Sequence, residues 1–448
     1  MEPINREKEA VLEKAKKDGV KFVDLQFTDL FGTVKSVTIP VEHLEESLVK
    51  GTWFDGSSIE GFTRISESDM YLVPDPSTYA VIPWRVMEDG STARMICDVY
   101  TPDGNPFKGD PRAILKRVIA EAADMGYSYN TGPELEFFLF KTNGGAVKPL
   151  PHDKGGYFDL SMDMAYGVRR DMMLALERLG ISVEMSHHEV AESQHEICFK
   201  YGQALSTADS AITLRYAFKA IANMHGLYAT FMPKPIFGVN GSGMHVHQSL
   251  FDRKGNNAFF DAEDKYKLSK VARSFIAGQL EHIKGISAVV APTVNSYKRL
   301  VPGYEAPVYT CWGQRNRSAL IRVPRYSPGR EKATRCELRC PDPSSNPYLA
   351  FAVMLKAGLD GVKKKLTPPD AVEEDVYEFD EAERKKHGIL TLPGSLGEAL
   401  EELKKSPIAK DTLGPHAFQQ YVRNKTAEWD SYRTAVTDWE IDRYLEVL

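Results

Sequence analysis

The sequence predicts an α+β protein in which a small N-terminal domain of strands and turns precedes a larger domain of helices and strands. Three observations support this fold class. The first hundred residues are mostly short β-prone runs, a Pro- and Gly-rich segment follows at residues 101–110, and helical segments then alternate with apolar, strand-like segments. We therefore expect two domains, residues 1–105 and residues 106–448.

The composition narrows the class of protein. The chain has 448 residues, of which 42% are hydrophobic and 26% charged, and its formal net charge is −6. This balance is typical of a globular protein and excludes a chain that is mostly disordered. No basic face for nucleic acid, no apolar run of the roughly 18 residues that a membrane helix needs and no secretory signal is found. Five scattered cysteines indicate reduced thiols, so we expect a cytoplasmic enzyme or a large binding protein.

The N-terminal elements follow from β-prone runs and the turns between them. Val20 to Thr28 and Thr33 to Ile39 are predicted as a hairpin, because Asp29-Leu30-Phe31-Gly32 suits a tight connection. A Gly- and Ser-rich loop is predicted at residues 54–58. Further strands are predicted at Tyr71 to Val73, Tyr79 to Ile82 and Ala93 to Val99.

The larger domain opens with a clear helix signal. Asp110 provides an N-cap, Pro111 a first-turn proline and Gly126 a stop. Further helices are predicted at residues 165–179, 206–225, 264–284 and 347–364, with a helical tail at 416–448. Apolar segments predict strands at residues 134–140, 181–186, 194–200, 228–232, 243–250, 319–323 and 335–340.

Glu134 and Glu136 are the first chemical anomaly. On a strand they share one face with Phe138 and Phe140, while the residues between them form a wholly apolar face. Two carboxylates side by side on a half-apolar strand repel each other and lose hydration unless a cation compensates. The alternative is a solvated strand end.

Two histidine-containing segments are further candidates. Residues 186–196 hold three glutamates and three histidines, although such a cluster is more often a solvated turn. After a glycine-rich turn that lets backbone approach a ligand closely, His245, His247 and Ser249 share a strand face. A buried histidine is usually a core residue, but this pair favours ligation.

Two arginine-containing segments complete the candidates. Arg335, Glu337 and Arg339 alternate on one face, and arginine is the preferred planar donor for phosphate and carboxylate groups. The alternative is a salt-bridge ladder. Residues 295–307 place Glu305 among Pro and Gly residues, which favours a loop that closes over a site rather than an ordinary surface loop.

Together these segments supply five glutamates and one histidine that could bind hard divalent ions, with arginines for anions. Oxygen-rich ligation with one imidazole suits Mg²⁺ or Mn²⁺. Two such ions beside arginines indicate phosphoryl chemistry. Because the sequence has neither a Walker A motif nor a kinase glycine-rich loop, a nucleotide would be held through metals and arginines.

A series of motifs follows in order over nearly the whole chain: FDGSSIEGF (54–62), GPELEFFLF (132–140), NGSGMHVHQS (240–249), NSYKRLVPGYEAP (295–307), NRSALIR (316–322) and CELR (336–339). These motifs resemble type I glutamine synthetase. The resemblance implies a β-grasp-like N-terminal domain and a catalytic domain with a curved antiparallel sheet and surrounding helices. It also implies a homododecamer of two stacked hexameric rings with active sites between subunits.

Carried over by position, the resemblance implies two divalent ions, Mg²⁺ or Mn²⁺. One would be held by Glu136, Glu189 and Glu196, and the other by Glu134, His245 and Glu337. ATP would contact Glu184, His247, Ser249 and Arg335. Glutamate would contact Asn240, Gly241, Arg299, Arg317, Glu305 and Arg339. The catalytic positions would be Asp55, Glu305, Arg317 and Arg339, with Asp55 completing the ammonium pocket of the adjacent subunit.

The implied activity is ATP-dependent ligation of ammonia to L-glutamate through γ-glutamyl phosphate, which gives glutamine for nitrogen assimilation. Arg315, Cys198 and the insertion at residues 325–332 depart from the common family pattern without removing a predicted ligand. The surroundings of Tyr377 do not match the adenylylation motif of some members, so no adenylylation is predicted. The shorter α-type members resemble this chain, which makes Arg64 a candidate for regulation by glutamine.

Two alternatives remain at this point. A related ligase would join glutamate to an organic amine, whereas a catalytically silent relative would act as a scaffold. Because Asp55 and Glu305 are both retained, a small anionic pocket suited to ammonium is favoured. All six predicted metal ligands are also present, which argues against a silent relative.

Overall fold

The structure is a computed structural model that describes residues 6–57, 59, 61, 69–142, 148–304 and 306–448. Helices are α1 (Arg6–Lys17), α2 (Leu44–Lys50), α3 (Pro111–Asp124), α4 (Tyr166–Arg178), α5 (Ala204–Met224), α6 (Lys270–Val290), α7 (Ser296–Arg299), α8 (Pro347–Lys364), α9 (Glu381–Lys386), α10 (Leu396–Lys405), α11 (Pro407–Arg433) and α12 (Asp438–Tyr444). Among the described residues, no helix combines the length and apolar character that a bilayer span requires.

The strands form two sheets. The N-terminal sheet contains β1 (Val20–Thr28), β2 (Val34–Pro40), β3 (Thr52–Asp55), β4 (Asp69–Pro74), β5 (Ala80–Met87) and β6 (Gly90–Tyr100). Its order is β2-β1-β6-β4-β3, and β5 also pairs with β6. The predicted hairpin is confirmed, since β1 and β2 are antiparallel neighbours, whereas β1 and β6 are parallel. Buried residues of this sheet and of α1 and α2 form a core of their own.

The second sheet has nine strands. They are β7 (Tyr127–Lys141), β8 (Val183–His188), β9 (Gln194–Phe199), β10 (Gly202–Gln203), β11 (Leu227–Thr230), β12 (Met244–Asp252), β13 (Tyr309–Gly313), β14 (Ala319–Arg322) and β15 (Cys336–Leu338). The order is β13-β14-β15-β12-β7-β9-β8, and β10 and β11 also pair with β7. All pairs are antiparallel except β13 with β14. Helices α3, α5, α6 and α8 pack with the apolar face of this sheet in the main core.

Local signals explain most element boundaries. Asp110 caps α3 by accepting a hydrogen bond from the Arg112 backbone N–H, as predicted, and Asn346 does the same for α8 through Tyr348. Helix α6 begins later than predicted, because its N-cap is Ser269. Asp264, where the prediction began the helix, instead accepts hydrogen bonds from the backbone of Tyr266 and Leu268 in a turn.

Several elements differ from the prediction. The charged helix α1 and the short helix α2 were not predicted, and neither were β13 and α10. Residues 54 and 55 end strand β3 rather than belonging to a loop. The tail is not one helix, because α11 bends at Gly414, whose φ is 72°, before Pro415, and a separate α12 follows.

A buried arginine joins the N-terminal sheet to helices of the larger domain. Arg112 of α3 contacts the carboxylates of Asp75 and Asp98 from the N-terminal sheet region, at 2.7 and 2.8 Å, and Asp209 of α5 at 2.9 Å. Tyr348 of α8 donates a further hydrogen bond to Asp209 at 2.6 Å. Since these groups are largely removed from water, the charges depend on one another for compensation, and the network fixes the N-terminal sheet against the helices.

Candidate active site and metal centre

Strand β7 forms the middle of the candidate site. In the strand register, Glu134 lies opposite His245 of β12 and opposite Cys198 of β9, and Glu136 lies opposite Glu196. Both carboxylates line one large cavity, while the residues between and after them on the other face belong to the main core. The prediction that Glu134 and Glu136 share one face of a strand is confirmed.

The cavity has a volume of about 970 Å³. Eleven of the residues predicted to act in the site line it: Glu134, Glu136, Glu184, Glu189, Glu196, His245, His247, Arg317, Arg335, Glu337 and Arg339. They come from β7, β8, β9, β12 and β15 and from the loops beside them. The second sheet therefore brings together residues that are up to about two hundred positions apart in the chain.

One half of the cavity combines histidines with carboxylates. Nδ1 of His245 lies 3.6 Å from an oxygen of Glu134 and 3.6 Å from an oxygen of Glu337. Nε2 of His247 lies 2.8 Å from Glu134, and Nδ1 of the same ring accepts a hydrogen bond from Arg335 at 3.1 Å. That acceptor role leaves the ring proton on Nε2, so His247 donates to Glu134.

Hydrogen bonds and nearby positive charges keep the two carboxylates in this half of the cavity ionised. Burial raises the pKa of Glu134, but hydrogen bonds with His245 and His247 lower it further, so the net shift is downward. The pKa of Glu337 is also lowered, since His247, His245 and the nearby arginines outweigh its burial. Burial lowers the pKa of His245, which favours the neutral imidazole that a metal ion requires.

The other half of the cavity is acidic. Oxygen or nitrogen atoms of His187, Glu189 and Glu196 lie within 4.8 Å of one another. Burial and the carboxylates of Glu189 and Glu196 raise the pKa of Glu136 well above its usual value. Burial, followed by the charge of Glu134, raises the pKa of Glu196 to about 8. This repulsion would be relieved by a cation, and the oxygen-rich donor set fits a hard divalent ion.

Arginines lie beside the carboxylates. Arg322 donates to Glu337 at 2.5 Å, and Nε of Arg339 lies 3.3 Å from the other oxygen of Glu337. Arg339 is only 6% exposed, yet its Nε and Nη1 have no hydrogen-bond partner among the described residues. Because a buried donor without an acceptor is costly, this guanidinium is suited to an anionic ligand in the cavity.

The glycine-rich turn before β12 is packed against Arg299. A Cβ atom on Gly241 would lie 2.4 Å from the carbonyl oxygen of Pro233, and one on Gly243 would lie 2.6 Å from Nη2 of Arg299. Arg299 itself donates to the backbone carbonyls of residues 339–341, at 3.0 to 3.2 Å. The turn therefore needs glycine because of close approach, and burial lowers the pKa of Arg299.

Five predicted residues among those described do not line the cavity. Asn240 and Gly241 belong to the turn that packs against Arg299, and Ser249 is buried with its hydroxyl bonded to Tyr201, which does line the cavity. Asp55 lies on β3 in the N-terminal sheet, is exposed, and accepts a hydrogen bond from the Ser57 backbone at 2.8 Å. The side-chain and backbone hydrogen bonds of Ser57 lower the pKa of Asp55. Glu305 and Arg64 lie outside the described residues.

The structure adds residues that the sequence did not single out. The side-chain amide of Gln194 donates to Glu136 at 3.0 Å and to the carbonyl oxygen of Gly241 at 3.1 Å. Tyr157 and Phe158 stack with ring centroids 4.0 Å apart at the cavity, and Phe158 has a φ of 61°. Arg322 could have been found, because it ends the motif NRSALIR at residues 316–322, but a buried glutamine or a left-handed phenylalanine has no such signal.

Comparison with known families gives two matches. The family model "Glutamine synthetase, beta-Grasp domain" matches residues 19–102, and "Glutamine synthetase, catalytic domain" matches residues 108–444. Together these two matches cover most of the chain.

Curated relatives match over nearly their whole length. A glutamine synthetase of Clostridium saccharobutylicum is 56% identical over 440 residues, covering 98% of both chains. One of Thermus thermophilus is 52% identical over 444 residues, again covering 98% of both chains. Among solved structures, a GmaS/ADP complex has a TM-score of 0.88 at 32% identity and covers 97% of this chain and 99% of its own. A glutamine synthetase of Plasmodium falciparum has a TM-score of 0.87 at 27% identity and covers 98% of this chain and 99% of its own.

Proposed function

This chain belongs to the glutamine synthetase family, which ligates ammonia to L-glutamate at the expense of ATP. We propose the following roles for its residues in this reaction. A carboxylate is a poor electrophile, so the γ-carboxylate first attacks the terminal phosphorus of ATP. The bond from that phosphorus to the bridging oxygen breaks, ADP leaves, and the carboxylate becomes an acyl phosphate. Ammonia then attacks the acyl carbon, phosphate leaves with the electrons of the C–O bond, and glutamine forms.

The proposed metal ligands fall into two sets. Glu136, Glu189 and Glu196 would hold one ion. Glu134, His245 and Glu337 would hold the other. Nδ1 of His245 lies 3.6 Å from an oxygen of Glu134 and 3.6 Å from an oxygen of Glu337, which supports the second set because one ion between these three side chains is within reach of each of them. We propose Mg²⁺ at both sites, with Mn²⁺ as a substitute, since oxygen donors dominate. When bound, the two ions neutralise charge on the transferring phosphoryl group.

Arginines would complete the phosphoryl site. Nη1 of Arg339 has no hydrogen-bond partner among the described residues, and Arg317 is exposed at the cavity. We propose that both contact the transferring group, and that Arg335, His247, Glu184 and Ser249 contact the nucleotide. The Arg335–His247 hydrogen bond supports this assignment, because it orients both side chains on the same wall of the cavity.

The amino-acid substrate would bind beside the acidic half. Asn240 and Gly241 belong to the turn that Arg299 supports, so we propose that this turn positions glutamate with Arg299, Arg317, Arg339 and Glu305. Glu305, which lies outside the described residues, would close over the acyl phosphate and keep water from hydrolysing it. Arg64, also outside them, remains the candidate for feedback by glutamine.

The ammonium site would need a second subunit. Asp55 is ionised and exposed on β3, and it does not line the cavity of its own chain. We propose that it completes the cavity of a neighbour, where it binds ammonium and, with Glu305, accepts its proton. A shared site of this kind fits a ring of subunits, and we propose a homododecamer of two hexameric rings, located in the cytoplasm, in which neighbours share sites around each ring.

The observation that carries the proposal is the one cavity that all six predicted ligands line, five of them from strands of the second sheet and Glu189 from the loop after β8. It is tested by glutamine formation at increasing Mg²⁺ in Glu337→Gln and in the control Glu401→Gln. Glu401 is exposed on α10 and pairs only with Lys404, at 2.8 Å. We expect turnover of Glu337→Gln to be at least about 100-fold lower at any Mg²⁺ concentration, because the substitution removes a carboxylate that binds the metal ion directly. Equal activity of both variants would refute the site assignment.

A second experiment addresses the alternative ligase. The curated glutamine synthetases cited above are 52–56% identical, whereas the GmaS structure is 32% identical, which favours ammonia as the acceptor. Phosphate release is measured with ATP and glutamate, comparing ammonium with ethylamine and putrescine. We expect turnover only with ammonium, and faster turnover with an organic amine would overturn the proposed substrate.

A further inference from the structure

A thiol lies inside the candidate metal centre. Cys198 of β9 is 8% exposed, lines the cavity, and lies opposite Glu134 in the strand register. Its Sγ is 2.6 Å from an oxygen of Glu196, two residues earlier on the same face. The other four cysteines are buried and do not line this cavity.

The thiol and two carboxylates can converge on one ion. Sγ of Cys198 and one oxygen each of Glu134 and Glu196 lie within 4.8 Å of one another. Two ligands of one zinc ion can be separated by at most the sum of their bonds, about 2.3 Å for sulfur and about 2.1 Å for oxygen. Since 4.8 Å is an upper bound on these separations and exceeds that sum by only a few tenths of an ångström, no more than small side-chain adjustments are needed to bring all three into range.

Mg²⁺ and thiophilic ions differ in whether they bind the sulfur atom of this group. Mg²⁺ binds oxygen in octahedral geometry and has little affinity for sulfur. Zn²⁺ and Co²⁺ bind cysteine sulfur readily and accept tetrahedral sites of mixed sulfur and oxygen donors. A soft ion therefore gains a ligand at Cys198 that Mg²⁺ does not use.

We propose that Cys198 makes this metal centre a binding site for thiophilic divalent ions such as Zn²⁺, held by Cys198, Glu134 and Glu196. The inference rests on the proposed function, which assigns Glu134 to one Mg²⁺ set and Glu196 to the other. A single zinc ion that takes one ligand from each set excludes both Mg²⁺ ions. Cys198 is then a specificity-determining residue that makes the enzyme sensitive to zinc.

Cobalt spectroscopy tests the sulfur ligand directly. Co²⁺ is added to wild type, to Cys198→Ser and to the matched control Cys336→Ser, and absorption is recorded in the near ultraviolet and the visible. Cys336 is equally buried in the same sheet and precedes Glu337, so its side chain points to the other face. We expect a sulfur-to-cobalt charge-transfer band in wild type and in Cys336→Ser, and its loss in Cys198→Ser.

Manganese resonance tests the shared ligands. Bound Mn²⁺ is counted by the loss of the free-ion signal, and zinc is then titrated. We expect one zinc to displace two Mn²⁺ in wild type, and the zinc concentration needed to rise at least about tenfold in Cys198→Ser.

Three outcomes would contradict these proposals. If wild type and both variants all show the visible bands of bound cobalt but wild type shows no charge-transfer band, Cys198 is not a ligand although the metal site is intact. A charge-transfer band that survives Cys198→Ser would overturn the role of Cys198 too. Failure of wild type to bind Mn²⁺ at all would instead refute the proposed function.

Discussion

The side-chain amide of Gln194 lies 3.0 Å from Oε2 of Glu136 and connects this carboxylate to the glycine turn. The same nitrogen is 3.1 Å from the carbonyl oxygen of Gly241 and 3.2 Å from the hydroxyl of Ser242. Gly243 donates its backbone N–H to the same carboxylate oxygen at 3.0 Å. One oxygen of Glu136 is thus fixed from two sides, which orients the other oxygen towards the proposed metal ion.

Gln194→Leu should therefore weaken metal and glutamate binding together. The substitution keeps the side-chain volume but leaves Glu136 and Gly241 without their common donor. We expect the affinity for Mn²⁺ to fall about 10- to 100-fold, as for other residues that hold a metal ligand in place, and KM for glutamate to rise. Manganese resonance and steady-state kinetics provide the two measurements.

The control for this change is Gln279→Leu. Gln279 is fully buried on α6 and exchanges hydrogen bonds with Gln248, far from the carboxylates in the chain. We expect it to lower the Tm by an amount similar to or larger than Gln194→Leu, with the Mn²⁺ affinity unchanged. Parallel losses of stability and metal affinity in both variants would mean that Gln194 acts only through folding.

Particular residues show which features of the structure can be predicted from the sequence. The shared face of Glu134 and Glu136 followed from strand alternation, and α3 and α8 followed from their caps. Helix α1 was missed because only Val11 and Ala15 are buried, so its apolar stripe is narrow. Gln194 could not be found, because its role depends on a contact with residue 136 that the register of β7 and β9 creates. Local patterns determine single elements, whereas such pairings depend on the whole sheet.

Gly241→Ala should displace the turn that carries the proposed glutamate contacts. The new Cβ would lie 2.4 Å from the carbonyl oxygen of Pro233 and 3.1 Å from Cγ of Arg299, and the nearer of these atoms is backbone that cannot rotate away. We expect kcat/KM for glutamate to fall at least about 100-fold, since a shift of one ångström at a positioning group has this effect.

Gly167→Ala is the matched control for that substitution. Gly167 lies on α4, where nothing is within 4 Å of a new Cβ, so alanine should be neutral or stabilise the helix by about 0.5–1 kcal/mol. Both variants are compared by Tm and by glutamate kinetics. If Gly241→Ala retains wild-type kinetics, the turn does not position the substrate.

Asp75 should contribute stability that depends on pH. Burial raises its pKa, but hydrogen bonds from Ser77 and Arg112 lower it more, so the net shift is downward. A carboxyl group with a lowered pKa stabilises the fold above its unfolded value of about 3.9 and loses this contribution as the pH falls below it. We expect Asp75→Asn to be less stable than wild type by about 1–2 kcal/mol at pH 7, with the difference shrinking towards pH 3.

The measurement is urea unfolding of both proteins between pH 3 and pH 8. Asp370→Asn serves as the control, because Asp370 is exposed and forms no ion pair among the described residues. A difference between wild type and Asp75→Asn that grows at acid pH would contradict the sign derived from the Arg112 network.

Two inactive variants should restore activity when their subunits are mixed. Asp55 is on the N-terminal sheet and does not line the cavity of its own chain, while Glu337 is 1% exposed and faces that cavity. If a site takes Asp55 from one subunit and Glu337 from the next, Asp55→Asn and Glu337→Gln chains complement each other in a ring. In an equal mixture that is unfolded and reassembled, chance places both native residues at about one quarter of the sites, so we expect about a quarter of wild-type turnover. If both residues served the same chain, every site in the mixture would carry one defect and no activity would return.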